Sequence, residues 1–106
     1  MTKQEMVAKI NELVHEGLGY RNLDFSILKY RSVAELKERL GHAERAVEIK
    51  RQIEAVKEPW MDLNPHGFPW WEVYAMCPNC GPQDWQAAWD KVMVLYRELN
   101  AHWAKV

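Results

Sequence analysis

Two cysteines stand three residues apart in Cys77-Pro78-Asn79-Cys80-Gly81, and the chain has no others. A CxxC turn brings two sulfurs to one point, which suits a metal ion or a redox couple. For zinc, the proline and glycine neighbours make a tight knuckle whose backbone amides face the thiolates. A structural zinc takes four ligands, and no second CxxC follows. His66 is the third candidate, eleven residues upstream in an aromatic stretch. The fourth comes from His15, His42, His102, Asp62 or a cysteine of another subunit. Cys77, Cys80 and His66 are therefore the candidate metal ligands, and structural zinc the candidate cofactor.

Other chemistries fit less well. Thioredoxin-type exchange wants its first cysteine at a helix N-terminus inside a βαβ pattern, and no such pattern surrounds Cys77. A zinc deaminase needs His-x-Glu and Pro-Cys-x-x-Cys. Here Gly67 and Phe68 follow His66, and Met76 precedes Cys77. No nucleophilic triad, phosphate-cradling glycine loop or catalytic carboxylate pair can be assembled. Glu72 lies six residues from His66, a spacing too common to mark an acid–base couple. The expectation is a protein without catalysis, and a small thiol- or zinc-dependent enzyme ranks last of three classes.

The compositional outlier is six tryptophans. Each buried indole removes about 150–250 Å² from water, a gross stabilisation of roughly 4–6 kcal/mol before entropy is subtracted. Trp85, Trp89, Trp103 and, with them, Tyr96 are expected in the core. Trp60, Phe68, Trp70 and Trp71 flank the turn signal Asn64-Pro65-His66-Gly67. Rings displayed on such a loop suit a protein-binding surface, because Trp is enriched at interface hot spots. Arg21, Lys29 and Arg31 form one locally basic stretch, with Asp24 its only acid, and are the secondary contact patch.

Helices must position these groups. Trp85, Trp89, Val92, Tyr96, Leu99 and Trp103 recur at alternating steps of four and three, the spacing of a helix with one narrow apolar seam. Pro82 suits the first position and Asp84 the first turn, so a helix from 82 to about 104 is predicted, roughly 33 Å long. Thr2-Lys3-Gln4-Glu5 reads as a capping box before Met6, Ile10, Leu13 and Val14, with Gly17 as the stop. Ser32-Val33-Ala34-Glu35 reads as a second box. It opens a helix to about Lys57, with a break or kink expected near Gly41 and a stop at Pro59. A helix of one or two turns is expected from Asp24. Residues 70–76 suit either a short strand or a helical turn begun by Pro69. The fold class is thus mainly α: one domain, 1–106, a bundle of three or four helices. Residues 1–58 are its charged helical part, 59–81 an aromatic cysteine-bearing loop, and 82–104 the last helix.

Length and charge bound the partners. At 106 residues, 48% hydrophobic and 27% charged, the chain can bury one core without disulfides. A formal net charge of −1 lacks the basic excess of a generic nucleic-acid binder and is too small for an acidic nucleic-acid mimic. No apolar run is long enough for a membrane span, and Met1-Thr2-Lys3-Gln4-Glu5 holds no signal core. A cytoplasmic location is expected. Lys9–Leu13, Tyr20–Asp24 and Ser32–Leu40 together resemble the helix-extended-helix modules of SAP-like and Rho-N-like nucleic-acid domains, with no diagnostic motif among them. That likeness implies nucleic-acid binding; the second class, a nucleic-acid binder with a zinc knuckle, adds to it the Cys77/Cys80 pair. The first class is a non-catalytic module that binds another protein, as monomer or homodimer. It would inhibit or regulate a larger machine, as phage and mobile-element inhibitors such as anti-CRISPR proteins do.

Overall fold

The computed structural model describes residues 1–18 and 31–106. Among them are four α-helices and no strand: α1 (Lys3–Leu18), α2 (Val33–Lys57), α3 (Trp70–Ala75) and α4 (Gln83–Trp103). Single 3-10 turns at Glu58–Trp60 and Pro78–Cys80 precede the two loops. The chain is a mainly α bundle, as its periodicity requires. The short helix expected at Asp24 lies outside the described residues, as do Arg21 and Lys29.

The predicted caps set the helix starts. The Thr2 hydroxyl accepts from the Glu5 amide at 3.2 Å, and the Glu5 carboxylate accepts from the Thr2 amide at 3.2 Å. The Ser32 hydroxyl accepts from the Glu35 amide at 3.2 Å. Pro69 and Pro82 sit at the N-caps of α3 and α4. Over 70–76 the helical alternative is therefore the correct one, and the strand is not formed.

α2 is the central element. Leu36, Ala43 and Val47 pack with α1, while Ala46, Ile49 and Ile53 pack with α4. Two buried faces blur the one-sided apolar stripe that marks a surface helix. Ala43 and Ala46 are completely buried, and their small side chains let both neighbours approach. The expected break at Gly41 does not occur, and α2 is continuous for 25 residues. Gly41 is exposed, with open space where a Cβ would lie. Packing on both sides outweighs its helix-propensity cost of about 1 kcal/mol.

Helix directions follow from the pairings. Met6 and Ile10 cluster with Leu36, Leu13 with Ala43 and Val47, and Arg51 and Lys50 bond Glu16. α1 thus runs parallel to α2. α4 runs antiparallel: His102 meets His42 at Nδ1···Nδ1 2.8 Å, one ring donating and the other accepting, while Trp85 at its start shares a buried cluster with Ile53 near the end of α2. The molecule measures 50 × 24 × 19 Å, with a radius of gyration of 17.3 Å. A compact chain of this length would have about 13 Å. Such elongation separates the α1 end from the aromatic end.

One side of the α4 seam departs from its spacing. Trp85, Val92 and Leu99 are buried, but so is Leu95, while Tyr96 is 36% exposed. Tyr96 lines a groove of about 470 Å³ between α2 and α4, beyond the end of α1. The expectation that Tyr96 is core is corrected: among the described residues no third helix covers that side of the seam.

Candidate functional site

The aromatic end is built from three connected pieces. The first is the turn 62–70. Asn64 Oδ1 accepts from the amides of His66 at 2.9 Å and Phe68 at 3.1 Å. The Asn64 amide donates to the Phe68 carbonyl at 2.7 Å, and the Trp70 amide to the Asp62 carbonyl at 3.0 Å. Gly67 adopts φ 85°, a left-handed value that glycine takes without a Cβ penalty. Asx-type bonding of this kind closes a turn locally, so Leu63 and Phe68 are held outward at 65% and 57% exposure.

The second piece is α3. Trp71 is 6% exposed and packs on Trp85 and Trp89, with ring centroids 5.5 and 5.8 Å apart. Trp85 stacks on Trp89 at 5.3 Å and is itself completely buried. Tyr74 touches Trp85 on one side and carries Trp70 and Trp60 on the other. Trp71, expected on the surface as a partner contact, is core: one turn of helix points it at α4. Trp60 and Trp70 are half-buried at the edge of the same stack. Of the four rings singled out from the sequence, Phe68 alone is largely free.

The third piece is the cysteine knuckle. Cys77 and Cys80 are joined in a disulfide across the 3-10 turn. The Cys80 amide donates to the Cys77 carbonyl at 2.9 Å, and Gln86 Nε2 donates to the Gly81 carbonyl at 2.9 Å, tying the knuckle to α4. Gly81 lies against Trp85, where an added Cβ would come within 2.6 Å of the ring. A zinc ion needs thiolates, and here the sulfurs are bonded to each other. His66 sits exposed on the 62–70 turn. Among the described residues no group of three or more His, Cys, Asp or Glu side chains is gathered as a metal site. His42 and His102, two of the alternative ligands, pair with one another at the opposite end of α4.

Of the basic patch, Arg31 alone is described, exposed and 3.8 Å from the Glu35 carboxylate. Sequence reasoning missed Met61, Leu63 and Met76, exposed by 44%, 65% and 88%. Their signal in the sequence is three large apolar residues bordering Pro and Gly turns, beside more conspicuous tryptophans. No described helix is long and apolar enough to cross a membrane. Comparison with protein families, curated proteins and solved structures finds no match to this chain.

Proposed function

We propose that this protein is a small non-catalytic binding module that docks another protein through its aromatic end, as an inhibitor or regulator of a larger assembly. The observation supporting this reading is the exposed apolar set Met61, Leu63, Phe68 and Met76, of which Leu63 and Phe68 stand on the hydrogen-bonded turn beside the packed indole stack. Exposed apolar side chains held rigidly cost little further ordering on binding, which favours affinity. Half-buried Trp60 and Trp70 border them and supply the aromatic anchors typical of interface centres.

The test is crosslinking mass spectrometry on cells expressing either the natural chain or the Leu63→Ser/Phe68→Ala variant. The expected result is a partner crosslinked to residues 58–76 in the natural chain and lost in the variant, with unchanged melting of the purified proteins. Crosslinks confined to α1, or equal capture by the variant, would overturn the assignment.

A further inference from the structure

The aromatic end also carries a charge pattern that no ion pair among the described residues uses. From Glu58 to Asp90 the sequence has no lysine or arginine and five carboxylates: Glu58, Asp62, Glu72, Asp84 and Asp90. Taking these five from the total of 15 acids leaves ten against all 14 lysines and arginines, so the remainder of the chain carries an excess of +4. A net charge of −1 conceals this division. All five carboxylates are exposed. Ion pairs among the described residues join Glu12, Glu16, Glu35, Glu48 and Glu54 to lysines or arginines, and none of the five takes part in one.

Building on the protein-binding reading above, we infer that the partner surface is basic: an apolar patch rimmed by arginine or lysine. Three observations carry this. The exposed apolar residues Met61, Leu63, Phe68 and Met76 interleave in sequence with the exposed acids Glu58, Asp62 and Glu72, and interfaces commonly combine apolar and polar groups in this way. Uncompensated carboxylates repel one another and an acidic partner, and attract a cationic one, raising its association rate. The rings here accept cations as well: Lys57 Nζ, the last basic group before the acidic stretch, lies 5.4 Å from the Trp71 ring centroid. Half-buried Trp60, Trp70 and Tyr74 offer the same chemistry to an incoming guanidinium, which binds ring faces well. The molecule's own basic remainder is the rival occupant, and it would give head-to-tail self-association.

The probes are three synthetic amphipathic helical peptides with one shared Leu/Phe face and a polar face of Arg, Gln or Glu. Each is titrated into the isotope-labelled full chain, with amide shifts followed at low and at physiological salt. The expected result is shifts confined to residues 58–90. The Arg peptide should bind at least about tenfold tighter than the Glu peptide, a gap that narrows with salt. Glu58→Lys/Asp62→Lys/Glu72→Lys, all exposed positions, should reverse the order. Equal binding of all three peptides at 58–90 would overturn the charge inference while leaving the protein-binding reading intact. Shifts from no peptide at that end, or only outside it, would overturn both. Sedimentation showing that the free chain self-associates through 58–90 would replace the basic partner with a second copy.

Discussion

Gly17, in the last turn of α1, lies directly against the indole of Trp103 near the end of α4. A methyl group at position 17 would overlap the Trp103 ring, so this glycine lets the ends of two helices close over one side chain. Gly41, in the middle of α2, meets nothing within 4 Å. Gly17→Ala should destabilise the protein by about 1–3 kcal/mol, the usual cost of overpacking. Gly41→Ala should stabilise it by about 0.5–1 kcal/mol through helix propensity. Denaturant melts of the two variants should shift in opposite directions.

Trp85 and Tyr96 occupy one apolar seam in sequence but different environments in space, completely buried and 36% exposed. Trp85→Ala should cost about 3–5 kcal/mol, and Tyr96→Ala under about 1 kcal/mol. Equal losses in urea melts would mean that the groove beside Tyr96 is covered in solution.

Asn64 holds the 62–70 turn through its side-chain oxygen. Asn64→Ala removes the acceptor of two amide bonds, each worth about 1 kcal/mol. Hydrogen exchange at the His66 and Phe68 amides should accelerate, while α2 and α4 keep their protection. Unchanged exchange at both amides would show that the backbone bonds alone hold the turn.

Thiol chemistry discriminates between the two states of the knuckle. Protein purified without reductant should show no free thiol under native or denaturing conditions, in keeping with the Cys77–Cys80 disulfide. Two titratable thiols together with about one zinc per chain by elemental analysis would restore the metal site first read from Cys77, Cys80 and His66.

The α1 cap gives a pH dependence with a defined sign. The bonds from the Thr2 hydroxyl and the Thr2 backbone hold the Glu5 carboxyl below its ordinary value. A depressed folded-state value means stabilisation that is fully present above the unfolded carboxylate pKa and lost as pH falls through the folded one. Amide protection in the first turn of α1 should therefore fall in acid, and Thr2→Ala should flatten that response. A first turn whose protection is indifferent to pH would contradict the capping role.

The helix class, most helix ends and both caps were legible in the sequence, because they depend on interactions within about four residues. Thr2 with Glu5, Ser32 with Glu35, and the prolines before α3 and α4 carry that information locally. The aromatic stretch before α4 was equally visible as a candidate surface. What the tertiary structure decided is which of its side chains remain available. Trp70 and Trp71 are neighbours of one type, yet α3 turns Trp71 into the indoles of α4 and leaves Trp70 at the edge. Gly41 reads as a break until α1 and α4 clasp α2 from two sides. The acids of 58–90 can be counted in the sequence, but that they form no ion pair among the described residues can be read only once the helices have placed the described cations relative to them. Periodicity encodes the faces of a helix; pairings between residues as distant as His42 and His102 determine which faces meet.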